Sequence, residues 1–325
     1  MSDLSNSSNT LITPLQISIV IPLFNEDESL PPLHDWIVKV MKENNFSYEI
    51  IFVNDGSTDN SWKVIEELAN KNENVKAICF SRNYGKSAAL DAGFKIVEGE
   101  VIVTMDADLQ DSPDEIPELY DLIKNQNFDL ISGWKKKRHD PLSKTLPTKL
   151  FNAATRAFSG IKLNDFNCGL KAYKVEVVRT LNVYGEMHRY LPVLAKWNGF
   201  TKIGEKVVEH RARQFGSTKF GLERFTNGLL DLLSVTFITR FKKKPMHFFG
   251  TLGLLSFFMG FGIAFWLLLE KLLGIHSREP IDAPLFYISL IAIVIGTQLF
   301  LAGFIAEMIV IHSNERNDYI ISKEL

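Results

Sequence analysis

Val101-Ile102-Val103-Thr104-Met105-Asp106-Ala107-Asp108-Leu109-Gln110 joins an apolar run to a short acidic one. A short apolar run bounded by polar residues reads as a buried strand, and here the carboxylates stand at its carboxyl end. If extension continues, Asp106, Asp108 and Gln110 project to one side, because side chains alternate along a strand. Three oxygen donors in a row suit a hard cation, Mg²⁺ or Mn²⁺, whose shell is completed by water and substrate phosphates. A diphosphate leaving group needs that charge neutralised. A lone Asp-x-Asp is more often an acidic surface turn, but its place directly after a hydrophobic strand favours a site.

Working outward, the same kind of apolar run recurs at Ile17 to Leu23, Glu49 to Val53, Val75 to Phe80 and Phe128 to Ser132. Between these runs, Glu28 to Asn44, Ser61 to Asn72, Ser87 to Val97 and Asp114 to Asn125 place apolar residues at three- and four-residue intervals, the period of a helix packed on a sheet. Strand and helix in alternation predict an α/β domain with a mostly parallel sheet and ligands at the carboxyl ends of its strands. A helical stretch is also expected from Lys149 to Phe158, after the basic segment Lys135 to Arg138.

Two further strand ends carry polar motifs. Asn54-Asp55-Gly56-Ser57-Thr58-Asp59 follows the second strand: Gly56 permits a tight turn, and Ser57 to Asp59 supply helix-cap chemistry. Asp59 reads equally well as a simple capping residue. Asp55 is not needed by the helix start. With Pro22, Phe24 and Glu26 at the end of the first strand, it is placed to accept hydrogen bonds from a base or ribose while Phe24 offers apolar contact. His188 has no second histidine at metal spacing and reads as a structural, hydrogen-bonded residue.

These motifs, with Ser81-Arg82-Asn83-Tyr84-Gly85-Lys86 and Arg213-Gln214-Phe215-Gly216-Ser217-Thr218-Lys219, resemble family 2 glycosyltransferases of the GT-A fold. Within them the resemblance is to the group of dolichol-phosphate mannose synthases and bacterial undecaprenyl-phosphate glycosyltransferases. It implies a nucleotide-sugar donor held by Pro22, Phe24, Glu26, Val53, Asp55 and Ala107, and a metal held by Asp106, Asp108 and Gln110. It implies a polyprenyl phosphate acceptor and phosphate contacts from Arg213 and Lys219. Family members often carry Arg soon after the Ser-Gly pair that ends the fifth strand; here Trp134-Lys135 follows, so Lys135 is the nearest match and Arg138 the second. Asp165 matches an acidic residue near the acceptor, as a base or an orienting group; a loop-capping Asp is the alternative. Asp108 and Asp165 are thus the expected catalytic pair. UDP is favoured over GDP by the resemblance, while the sugar stays open. A processive polysaccharide synthase would carry a Q-x-x-R-W segment and more spans, and a non-catalytic scaffold would have no need of intact Asp106, Asp108 and Gln110.

Phe248 to Leu269 and Pro284 to Ala306 contain no Asp, Glu, Lys or Arg, and each suffices for a membrane-spanning helix of about 20 residues. An amphipathic region, 220–245, precedes them and ends in Arg240, Lys242, Lys243 and Lys244, whereas the loop between the spans holds only Lys271 and Arg278. The positive-inside rule then predicts a multi-pass inner-membrane protein with the catalytic domain (15–219) and both termini cytosolic. Residues 1–14 read as a disordered tail and 313–325 as a cytoplasmic tail. Gly250, Gly253, Gly260 and Gly262 allow close helix approach, within the chain or in a homo-oligomer. A net charge of -2, with no basic stripe, excludes a nucleic-acid binder. Two cysteines without metal spacing exclude a disulfide framework or zinc site.

Overall fold

Ile, Val and Phe dominate β1 (Ile17–Leu23) and β2 (Tyr48–Asn54), both buried along their whole length. Strands covered on both faces are apolar for most of their length, and two buried exceptions, Ser18 and Glu49, bond to one another. The computed structural model of the chain describes residues 15–136, 152–153, 155–157, 159–211, 245–274, 280–312 and 321–324. Its sheet adds β3 (Val75–Phe80), β4 (Val101–Thr104), β5 (Leu130–Trp134), β6 (Lys171–Lys174), β7 (Ile203–Val207) and β8 (Ile321–Glu324), in the order β7-β5-β6-β4-β1-β2-β3-β8. The central pairs β3/β2, β2/β1 and β1/β4 are parallel, as is β5/β7; β6 is antiparallel to both neighbours, and β8 to β3.

Alternation along the strands divides the core. Ile17, Ile19 and Ile21 join Ile50, Phe52, Val101 and Val103 in one cluster. That cluster is covered by α1 (Leu30–Glu43), α2 (Ser61–Lys71) and α4 (Ile116–Lys124), through Leu33, Ile37, Ile65, Leu119 and Ile123. The opposite face receives α3 (Lys86–Ile96), where Gly93 lets the helix settle close to Val20 and Val53. Each fully buried Leu or Ile contributes about 1.5–3 kcal/mol. Two short helices, α5 (Val175–Thr180) and α6 (Leu191–Trp197), follow β6. Neither of these, nor β6, β7 and β8, was expected from the sequence pattern.

β1 has β2 on one side and β4 on the other, so the loops leaving β1 and β4 diverge. That divergence opens a crevice at the carboxyl ends of the strands, the place where α/β sheets bind ligands.

A second unit holds the two long helices α7 (Pro245–Leu272) and α8 (Pro284–His312). Pro245–Leu272 and, within α8, Pro284–Ala306 have mean hydropathies of 2.2 and 2.3 and are long enough to cross a bilayer. Glycines set their spacing: a Cβ on Gly253 would meet Gly296 O at 2.7 Å, one on Gly260 would meet Ser289 O at 2.6 Å, and one on Gly296 would meet Phe257 N at 2.6 Å. Ser256 Oγ also donates to Ala292 O at 2.8 Å. Of the glycines singled out above, Gly253 and Gly260 serve this intrachain approach, Gly250 has Met246 of its own helix beside it and its N 3.3 Å from where Gly303 would carry a Cβ, and Gly262 has nothing within 4 Å. The region 220–244 lies outside the described residues.

Candidate active site

β4 ends at Thr104, which puts the acidic run on the loop that leaves it. Leu109 turns this loop through a φ of 61°. Extension therefore does not continue to Gln110, and the simple alternation expected of Asp106, Asp108 and Gln110 gives way to a turn. The turn still leaves Asp106 and Asp108 close enough for their charges to oppose one another. Burial, then the charges of Asp106 and Asp111, push the Asp108 carboxyl up to about 6. Burial also works against the charge on Asp106, but Lys86, Lys135 and Lys171 outweigh it and hold that carboxyl at about 2. Lys86 Nζ forms an ion pair with Asp106 Oδ1.

The space around Asp106 is made by a glycine. A Cβ on Gly169 would lie 2.5 Å from Asp106 Oδ2, 2.6 Å from Cγ and 2.8 Å from Oδ1. Gln110 donates its backbone N–H to Asp108 Oδ1 (3.2 Å) and its Nε2 to Arg211 O (3.4 Å), which leaves the side-chain oxygen for a ligand. Among the described residues no three His, Cys, Asp or Glu side chains converge as a metal set. Two mutually repelling carboxylates and an amide oxygen, with substrate oxygens to complete the shell, fit Mg²⁺ or Mn²⁺. A soft metal has nothing comparable: the neighbouring Cys168 thiol is pushed up to about 12 by burial.

Across the crevice, Pro22 lines the same cavity as Asp106. The loop after β1 is stitched to the loop after β2: Asn25 N donates to Ser57 Oγ (2.8 Å), Thr58 N to Asn25 Oδ1 (2.8 Å), and Glu26 N to Ser61 Oγ (3.0 Å). Asn25 takes a φ of 55° to allow this. Phe24 and Glu26 stay half-exposed at the rim. Two further residues implied by the resemblance lie deeper. Val53 is fully buried and packs toward Gly93, and Ala107 is 4% exposed within the core. Their side chains are taken up by packing. Asp55 is 4% exposed, and its carboxylate accepts from Tyr84 N (2.7 Å) and Gly85 N (2.9 Å). Burial raises its pKa despite those bonds. Its structural work is to fix the loop that delivers Lys86 to Asp106. Gly56, at φ 68°, has no room for a Cβ against the backbone of Arg82, which brings the two loops together.

Lys135 reaches the site but is committed: Nζ pairs with the fully buried Asp111 at 2.7 Å. Burial opposes its charge, yet Asp111 and its neighbours hold the ammonium above its usual range. Its ammonium is thus engaged by a carboxylate rather than free for a ligand. Arg138, Arg213 and Lys219 lie outside the described residues; the chain leading to Arg213 is described up to Arg211, whose backbone N donates to Gln110 O at 3.0 Å. Asp165 is 1% exposed, and its Oδ1 accepts from Asn167 N at 3.1 Å. It therefore shapes the loop that holds Gly169 against Asp106. His188 is hydrogen-bonded as expected, with Nδ1 3.0 Å from Ser87 Oγ, and burial pushes its pKa well down.

Sequence reasoning gave no role to Lys86, Asp111, Gly169 or Lys171. Lys86 was within reach of it, as a cation opening a helix after a strand end. Gly169 and Lys171 depend on β6 and its preceding loop crossing beside β4, and Asp111 on Lys135 at the end of β5, all of which only pairing reveals.

A mostly parallel sheet with paired carboxylates on the loop after β4, facing the loop after β1 across a switch-point crevice, is the layout of a GT-A nucleotide-sugar transferase. The chain belongs to glycosyl transferase family 2, whose model matches residues 18–181. It is 34% identical to the dodecaprenyl-phosphate galacturonate synthase of Rhizobium johnstonii, over 93% of this chain and 90% of that one. It is 32% identical to the undecaprenyl-phosphate 4-deoxy-4-formamido-L-arabinose transferase of Proteus mirabilis, over 90% and 88%. Among solved structures it is similar to glucosyl-3-phosphoglycerate synthase from Mycobacterium tuberculosis in complex with Mn²⁺ and UDP-glucose. There the TM-score is 0.54 at 20% identity, covering 68% of this chain and 79% of that one, a likeness of fold.

Proposed function

We propose that the protein transfers a sugar, with inversion, from a nucleoside diphosphate sugar, UDP in the first instance, to a polyprenyl phosphate at the inner face of the cytoplasmic membrane. The observation that carries this is the Asp106/Asp108 pair at the crevice, in a chain that also holds two helices long and apolar enough to span a bilayer. The printed names of both curated relatives, each aligned over at least 90% of this chain, support the same acceptor class.

In this mechanism an oxygen of the lipid phosphate attacks the anomeric carbon while the bond to the diphosphate breaks. A phosphate monoester has a second pKa of about 6, so the nucleophile is already largely dianionic at neutral pH and needs no strong base. Asp165 accordingly acts as a positioning residue through its loop. Asp106, Asp108 and Gln110 would hold Mg²⁺ or Mn²⁺, which neutralises charge developing on the leaving diphosphate. Pro22, Phe24, Glu26 and Asp55 frame the nucleoside, and Lys135, Arg138, Arg213 and Lys219 supply positive field or contact to phosphates.

The domain plan follows the same reading: catalytic residues 15–219, an interfacial stretch 220–245, and a membrane hairpin 246–312. An even number of spans returns the chain to its starting side. The pairing of β8 with β3 supports that topology, because segments before and after the hairpin share one sheet. The basic cluster Arg240 to Lys244 favours the cytosolic side.

The test is a donor panel with membranes containing the protein. Label from one radioactive nucleotide sugar should enter organic-extractable lipid, and EDTA or Asp108→Asn should stop it. Label in a water-insoluble polymer, or transfer indifferent to EDTA, refutes the proposal.

A further inference from the structure

Lys171 opens β6 in register with Thr104 of β4 and Ser132 of β5, and its side chain is only 2% exposed. Its Nζ donates to Cys168 O. Among the described residues no carboxylate stands in ion-pair range of it: Asp106 is paired with Lys86, and Asp111 with Lys135. An ammonium has three donors and pays a desolvation cost when buried. Burial indeed pushes the Lys171 pKa down. Asp165 and Asp106 attract it only from beyond ion-pair distance; a buried cation with one backbone acceptor and no ion-pair partner among the described residues is a poor structural element, and an apolar side chain would serve the fold better.

The cavity beside it explains the cation. Lys86, Asp106, Asn167, Lys171 and His188 line this cavity, over a floor that includes Met105 and Leu191. His188 is held at the cavity by Ser87. Its backbone N–H donates to Ser87 Oγ at 3.0 Å, and the same hydroxyl lies 3.0 Å from Nδ1. With the Ser87 hydroxyl donating to Nδ1, the neutral ring carries its proton on Nε2, the tautomer that a bound anion selects. Two ammoniums and, in that tautomer, an imidazole N–H against one carboxylate make a seat for an anion. We infer that Lys171 and His188 bind a phosphoryl oxygen of substrate in this cavity beside Asp106, the counter-charge of Lys171 being supplied by the ligand. Resting on the transferase reading of the same crevice, the inference names shared chemistry with two sources, the donor diphosphate and the lipid phosphate.

Lys171→Gln keeps an N–H for Cys168 O and removes the charge; Lys171→Arg keeps the charge. With the full-length protein in detergent, the Gln variant should raise KM for one substrate about 10- to 100-fold, the usual worth of a hydrogen bond to a charged group. The Arg variant should recover part of that loss, and the ligand-free Gln variant should melt no lower than wild type. If the seat takes the donor, the thermal shift produced by UDP with Mn²⁺ shrinks in the Gln variant and KM rises for the nucleotide sugar. If it takes the lipid phosphate, that shift persists and KM rises for the lipid. Both KM values within twofold of wild type, or equal defects in the Gln and Arg variants, overturn the inference. Wild-type protein that makes no lipid-linked sugar refutes the transfer reading instead, and a Gln variant matching an active wild type refutes the Lys171 assignment alone.

Discussion

Replacing Gly169 by alanine places a methyl group 2.5 Å from Asp106 Oδ2, where ordinary contact begins at 3.4 Å. The backbone is not the obstacle, since Gly169 is outside the left-handed region. The carboxyl must therefore retreat by about 0.9 Å, the difference between those distances. Asp106 is 32% exposed, so it has solvent to move into, and folding should survive with an apparent Tm within about 4 °C of wild type. Catalysis should not. A misplacement of about 1 Å in a positioned group costs on the order of 100-fold, or about 2.7 kcal/mol of transition-state stabilisation. The assay is label transfer into extractable lipid at several Mn²⁺ concentrations, with Gly262→Ala, which meets nothing within 4 Å, as the silent control. The expected result is kcat/KM down about 100-fold and a higher Mn²⁺ requirement. Gly169→Ala with wild-type turnover and an unchanged Mn²⁺ curve would refute the cradle.

Three other outcomes follow from the same geometry. Because Asp108 is raised to about 6, a proton competes for it below that pH: Mn²⁺ should raise the Tm more at pH 7.5 than at pH 5.5. Without metal, this group's share of stability falls as pH rises from about 4 through 6, the sign for a raised carboxylate; equal Mn²⁺ shifts at both pH values would contradict it. Asp55→Ala leaves the Tyr84 and Gly85 N–H groups without their acceptor. It should cost about 1–3 kcal/mol per orphaned donor and misplace Lys86, seen as a lower Tm with reduced turnover in chemical and thermal unfolding. Gly253→Ile drives a branched side chain into Gly296 O and Phe300 N, so protease resistance of the hairpin in detergent should fall, whereas an unaltered digestion pattern counts against the packing described.

Much of the parallel core was legible because its signals are local. Ile17 to Leu23 and Val75 to Phe80 are apolar runs bounded by polar residues, and both match β1 and β3 end to end. The four amphipathic helices between the first strands were readable from their spacing, and the helices α7 and α8 from runs without charge. Asp106 and Asp108 stood out because a hydrophobic strand stops just before them.

The rest depends on pairing between distant segments. Lys171-Ala172-Tyr173-Lys174 has charged ends and looks like surface, yet it is a central strand because β4 and β5 supply its ladders. The row expected of Asp106, Asp108 and Gln110 is broken by one left-handed residue, Leu109, that alternation does not foresee. Lys135 looked available for phosphate until Asp111 was seen to hold it. Gly169 matters only because its loop crosses Asp106, and Ile321–Glu324 becomes a strand only because the edge of β3 receives it. Periodicity and composition thus determined the first five strands, the helices between them, the two long apolar helices and the acidic run after β4, since each is encoded within a few neighbouring residues. Which charges neutralise one another around those carboxylates is a long-range matter, settled by the sheet order that brings β6 against β4.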